Sequence, residues 1–190
     1  TIVTDPADYA GLLAELAETD GATRIGFRKL MAARAYAATA AYDGMISQWF
    51  ATVDQQQAFP ETLAISGKRA QDLRYGENPH QKAAFYREQG AKGDGRVSEA
   101  KQLHGKELSF NNIVDMDAAW NCANYFADPA VAIVKHNNPC GAAKADALVD
   151  AYKRALECDP VSAFGGIIAA NRRIDEVTAR EIAPLFVEVI

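Results

Sequence analysis

The feature that most constrains this chain is Ala130-Val131-Ala132-Ile133-Val134, an unbroken apolar run that ends directly on Lys135 and His136. It is apolar at every position and too short for a helix. It therefore predicts a strand covered on both faces, of the kind found in parallel sheets. Upstream, Asn111 or Asn112 is placed to cap a helix. Asp115 and Asp117 fall in its first turns, where negative charge is favoured, and Ile113, Met116, Trp120 and Ala123 form its buried stripe. Downstream, Pro139 and Gly141 predict a loop, then a helix over roughly 142–157, a strand over 166–170, a helix capped by Asp175, and a strand over 187–190. Strands alternating with helices are the mark of an α/β domain.

The first third differs. Residues 1–4 read as a short strand, and Asp5-Pro6 as a cap and first-turn proline for a helix over 7–17. From 24 to 50, Phe27, Leu30, Met31, Ala38, Tyr42, Met45 and Trp49 recur at three- and four-residue steps. This predicts one long amphipathic helix, with Gly44 as the point where a break would fall. Residues 51–62 are Gln-rich and polar and read as a linker, 73–80 as a run of turns, and 90–95 as a glycine-rich surface loop. Strand-like residues at both ends would leave backbone groups unpaired, so the chain is expected to be an excerpt of a longer protein.

Composition removes several classes. The 190 residues are 49% hydrophobic and 24% charged, which excludes disordered, collagen-like and coiled-coil chains. No apolar run reaches the roughly 18 residues of a membrane helix. A net charge of −5 argues against binding nucleic acid through a basic face. Cys122, Cys140 and Cys158 do not make a disulfide framework and favour a reducing cytosol.

Lys135-His136-Asn137-Asn138-Pro139-Cys140-Gly141 is the first segment able to carry chemistry. Ligand sites in such sheets lie beyond the carboxyl ends of strands, and here that end holds a point cation and a base that titrates near neutrality. Like-charge repulsion between the two favours a neutral histidine. Neighbours in a strand point to opposite faces, so both serve one site only if the backbone turns here, as Asn-Asn-Pro permits. A solvated strand end is an equally open reading. Pro139-Cys140 also matches part of the zinc nucleobase deaminase pattern, His-x-Glu followed by Pro-Cys-x-x-Cys. Ala143 stands in place of the second cysteine and Asn138 in place of the glutamate. Cys140 and His136 supply at most two of the three protein ligands required, so no metal is expected.

Arg74-Tyr75-Gly76-Glu77-Asn78-Pro79-His80-Gln81 offers a guanidinium fork suited to phosphate and an aromatic plane, on a loop shaped by Gly76 and Asn78-Pro79. An ordinary surface turn is its alternative. In Ser162-Ala163-Phe164-Gly165-Gly166 the paired glycines bare backbone N–H groups to a ligand, or simply form a turn. His104-Gly105-Lys106-Glu107 reads as structural.

In order and spacing, the Arg74 octet, the run 101–120, the Lys135 heptad and the run 159–166 resemble the bifunctional purine-biosynthesis (PurH) family. This family joins AICAR transformylase to IMP cyclohydrolase, and the likeness covers essentially the whole chain. It implies de novo purine biosynthesis by a phosphoribosylaminoimidazolecarboxamide formyltransferase. A formyl group passes from the co-substrate 10-formyltetrahydrofolate to AICAR, and the other domain closes the product to IMP. The implied fold is α/β, a zinc-free cytidine-deaminase-like subdomain preceded by a mainly helical segment. Residues 1–60 would close the methylglyoxal-synthase-like cyclohydrolase domain with a linker, and residues 61–190 would be the first half of the transformylase domain. By the same resemblance His136 is the proton acceptor and Lys135 the cation that meets the formyl oxyanion. Arg74, Tyr75, Gly165 and Glu188 bind AICAR, with His80, Asn137, Asn138 and Pro139 as supporting loop residues. The family's remaining AICAR contacts, and its folate contacts, are expected in the half without a counterpart here. The implied assembly is a cytoplasmic homodimer with the transformylase site at its interface, without nucleic acid, membrane or active-site metal. The chain by itself is expected to be inactive, and a non-catalytic nucleotide-binding or assembly module is the competing expectation.

Overall fold

The computed structural model describes residues 1–54, 58–88 and 95–190. The described residues form two compact units, Thr1–Lys68 with Arg87 and Glu88, and Arg69–Tyr86 with 95–190. The core of the expected linker, residues 55–57, and most of the expected loop at 90–95 lie outside the described residues.

In the first unit, the Asp5 carboxylate accepts the Ala7 N–H at 2.9 Å and caps a 3-10 turn, Pro6–Asp8. Helix α1, Tyr9–Glu18, follows. The expected strand over 1–4 has no regular structure. Helix α2 runs unbroken over Ile25–Trp49 and continues into a π turn, Phe50–Asp54. The break expected near Gly44 does not occur. Gly44 is buried, and a Cβ there would meet the Ala64 methyl at 3.5 Å, an ordinary contact. Of the expected stripe, Met31 is buried and Phe27 and Met45 are half-buried, while Leu30, Tyr42 and Trp49 are exposed.

Strands β1, Gly67–Leu73, and β2, Ala83–Glu88, pair as a two-stranded ribbon. Helix α3, Phe110–Asn124, starts at Ser109 rather than at either asparagine. The Ser109 hydroxyl accepts the Asn112 N–H at 3.2 Å, and the Asn112 side chain accepts the Ser109 N–H at 3.0 Å, a reciprocal capping box. Ala119 and Ala123 are its fully buried residues, flanked by half-buried Ile113, Met116 and Trp120.

The main sheet has strands β3 Ala130–Lys135, β4 Asn138–Lys144 and β5 Ile167–Ala170 in the order β4-β3-β5. Both pairings are antiparallel, which corrects the expected parallel arrangement. The apolar run is covered on both faces because helices pack on both sides of it. Val131 and Ile133 meet Leu148, Ala151, Tyr152 and Ala155 of helix α4, Leu148–Cys158, while Val134 and Ile167 meet Ala119 of α3. The expected loop at Pro139–Gly141 and helix from 142 give way to β4, because the chain turns back at His136-Asn137 as a hairpin. Edge pairing here outweighs the proline, glycine and alanines of its sequence. Gly141 is required at that place, because a Cβ would collide with the Ala155 carbonyl of α4.

Asp175 caps helix α5, Glu176–Ile182, accepting the Thr178 N–H at 2.8 Å, as expected from sequence. That hydrogen bond holds the Asp175 carboxyl below the ordinary carboxylate range. The expected last strand reduces to Val189, which bridges in parallel to Ile167. The whole is a mixed α/β fold with small sheets.

Candidate functional site

The hairpin places Lys135 and His136 where strand alternation ends. The register pairs Ile133 with Gly141 but Val134 with Pro139, so Cys140 is an extra residue, a β-bulge. Lys135 then faces Asn138, leaving His136 and Asn137 as a two-residue turn. Both have positive φ, 54° and 62°, as a type I′ turn requires. For L-residues this conformation costs roughly 1–2 kcal/mol each, with asparagine the more tolerant. The His136 carbonyl accepts the Asn138 side-chain amide at 3.0 Å, and the Asp115 carboxylate of α3 accepts the Asn137 N–H at 2.7 Å. The His136 side chain is exposed. The turn thus removes the objection that neighbours in a strand face opposite ways.

Lys135 donates from Nζ to the Phe164 carbonyl at 2.8 Å, which sets its ammonium beside Gly165. That loop is built closely. The Asp159 carboxylate accepts the Ser162 N–H at 2.9 Å, and hydrogen bonding from Ser162 lowers its pKa. Gly165 has φ +73° and donates to the Phe186 carbonyl at 2.8 Å, while Glu188 donates its N–H to the Gly166 carbonyl at 2.9 Å. Lys135, Gly165 and the Glu188 backbone therefore gather at one end of the main sheet. Cys140 points back into the pairing, its thiol donating to the Ile133 carbonyl at 3.4 Å, and burial pushes its pKa up. Pro139 occupies the edge strand beside the bulge.

The Arg74 loop closes on itself. The Gly76 N–H donates to the Gln81 carbonyl at 2.9 Å, the Gln81 N–H to the Asn78 carbonyl at 3.0 Å, and the Asn78 N–H to the Gln81 side chain at 2.8 Å. A Cβ on Gly76 would lie 2.8 Å from that of Gln81, so the position admits no side chain as built. The Arg74 guanidinium sits 5.6 Å from the Tyr75 ring centroid. Asn111 of α3 donates to the Glu77 carbonyl at 3.2 Å and ties the loop to the helix that also holds Asn137. His80 is exposed on the same loop.

Sequence reasoning assigned Asn111 and Asp115 to helix capping and dipole roles and missed their contacts. The signal was their spacing, since residues four apart share a helix face. An apolar cavity of about 430 Å³, lined by Met116, Trp120, Ile168, Ile174 and Ile190 among others, runs along β5 and contains none of the expected site residues. The candidate site is defined by converging loops, not by that cavity. Among the described residues no three His, Cys, Asp or Glu side chains are grouped as metal ligands, and no helix is long and apolar enough to cross a membrane.

Comparison with known proteins gives one consistent result. The model of the AICARFT/IMPCHase bienzyme family matches residues 1–190. The bifunctional purine biosynthesis protein PurH of Rhizobium johnstonii is 56% identical over all of this chain, which covers 35% of that relative. The protein of the same name from Rhizobium meliloti is likewise 56% identical, and that from Magnetococcus marinus 52%, with 35% and 36% of their lengths covered. The chain thus spans about a third of the length of these relatives.

Proposed function

The chain belongs to the AICARFT/IMPCHase bienzyme family, and we propose that it carries half of the formyl-transfer centre of such an enzyme. In this reading residues 61–190 are the first, cytidine-deaminase-like half of the transformylase domain, and residues 1–60 close the cyclohydrolase domain. The observation that carries the proposal is the hairpin turn. It exposes the His136 imidazole next to a lysine already docked on the Phe164–Gly165 loop.

The chemistry follows from what the substrates lack. The AICAR amine is a poor nucleophile because its lone pair delocalises into the carboxamide-bearing ring. It must lose its proton as its nitrogen bonds to the formyl carbon of 10-formyltetrahydrofolate, and His136 is the base that takes it. The carbonyl oxygen gains negative charge in that step, and the Lys135 ammonium stabilises it. Collapse breaks the bond from the formyl carbon to N10 of the folate. The proton held by His136 is then available to the leaving nitrogen. Arg74 and Tyr75 hold the phosphate and ring of AICAR, with the Gly165 backbone and Glu188 completing its contacts on this side. No metal is assigned to the site. The zinc pattern is broken at Ala143 and Asn138, and the Cys140 thiol is engaged with the strand. The same reading makes the parent a cytoplasmic homodimer with the site at its interface, supported by Tyr36, Tyr42 and Trp49 standing exposed on α2.

The test is His136→Ala in the full-length enzyme. General-base catalysis supplies about 10²–10⁴-fold, so transformylase turnover is expected to fall in that range while cyclohydrolase activity is kept. Wild-type turnover at saturating AICAR and formyl donor would end the assignment.

A further inference from the structure

The geometry points to α3 as the bracket that sets both arms of the site, with Asp115 the positioning residue for the His136 turn and Asn111 its counterpart for the Arg74 loop. This rests on the reading of His136 as the base. The Asp115 carboxylate is a charged acceptor at 2.7 Å from the Asn137 N–H, in the short range of charge-assisted hydrogen bonds. It is half-buried and reaches across from an element remote in sequence. Two successive non-glycine residues with positive φ persist where the surroundings over-determine them. Asp115 supplies such a restraint at the second of the two. One helical turn earlier Asn111 grips the Glu77 carbonyl. Four residues rise about 6 Å along a helix axis, so the distance between the two grips is fixed by a rigid element whose own start is locked by the Ser109–Asn112 box. Both side chains are engaged with backbone groups of the loops they hold. Their function is spacing, which matters because misplacing a reacting group by about 1 Å costs on the order of 10²-fold.

The experiment is steady-state kinetics on the full-length enzyme, with His136→Ala and cyclohydrolase activity measured alongside. Asp115→Ala is expected to lower transformylase kcat by about 10²-fold with the AICAR KM nearly unchanged. Asp115→Asn is expected to keep most of kcat, because an amide oxygen accepts the same N–H. Asp115→Glu keeps the charge but displaces the acceptor by one methylene. It is expected to lose about tenfold, and it serves if the alanine variant does not fold. Asn111→Ala is expected to do the reverse, raising the AICAR KM with kcat kept. Amide exchange of the peptide spanning the turn should quicken in Asp115→Ala and not in Asp115→Asn. With His136→Ala inactive, a wild-type kcat in Asp115→Glu, or a kcat in Asp115→Asn as low as that of Asp115→Glu, overturns the inference. If His136→Ala is itself fully active, it is the reading of the site that has failed.

Discussion

The two loops that form the candidate site solve one problem in opposite ways. The Arg74 loop bends at Gly76, where no side chain fits, and closes with its own hydrogen bonds through Gln81. The His136 turn enters the left-handed region with no glycine and takes an external acceptor from Asp115. Glycine would be the unstrained choice in that turn, but the proposed mechanism uses an imidazole at its first position. The Arg74 loop makes its bend with its own bonds and takes from α3 only the Asn111 tether at Glu77, whereas the bend at His136-Asn137 itself rests on α3 through Asp115.

The largest effect that tests this contrast is on turnover. If Lys135 meets the developing oxyanion as proposed, Lys135→Ala is expected to lower kcat by about 10²–10³. Arg74→Ala is expected to act on the AICAR KM, because the phosphate contact proposed for it would be made in both ground and transition states. Steady-state kinetics of the two full-length variants checks the split, and equal losses in kcat would erase the distinction between the arms. A smaller effect is expected from Gly76→Ala, whose Cβ meets that of Gln81 at 2.8 Å. Overpacking costs about 1–3 kcal/mol. If the loop carries all of that cost, AICAR binding weakens by about 5–150-fold, which calorimetric titration would read. A fall in kcat with affinity intact would show that the loop acts on the reacting arm rather than on AICAR binding. The smallest effect concerns Asn137. Asn137→Gly is expected to be at least as stable as the parent, and Asn137→Ala less stable by about 1 kcal/mol, because alanine resists the left-handed region. Urea midpoints decide, and an alanine variant as stable as the parent would mean that the turn carries no strain.

Much of the fold was legible where one residue type dictates one structure. The apolar run, the Asp175 cap and the strand near 167–170 could be read because local pattern and tertiary environment agree. Strand β4 could not, since Asn138–Lys144 has a proline, a glycine and two alanines, and only its pairing with β3 makes it extended. Strand β1 was hidden for a similar reason: Gly67–Leu73 is mostly exposed and lacks clean alternation. The long helix α2 was readable in extent, but not in what it buries, because periodicity locates an apolar face without locating its partner. For the site, residue types at the strand end marked Lys135 and His136. The roles of Asn111 and Asp115 were invisible because they depend on segments 34 and 22 residues away in the chain.

The bulge at Cys140 has a consequence for parity. Continued without it, the pairing of Ile133 with Gly141 would set Lys135 opposite Pro139 and leave three residues to close the hairpin. A three-residue closure takes a different backbone path, with the left-handed residue at its end rather than at its start. One surplus residue in the return strand therefore converts an odd closure into an even one and decides which residue leads the bend. Whether the hairpin's count is odd or even thus depends on Cys140 standing outside the ladder, and its deletion is expected to leave the same two-residue turn, closed by a return strand without a bulge.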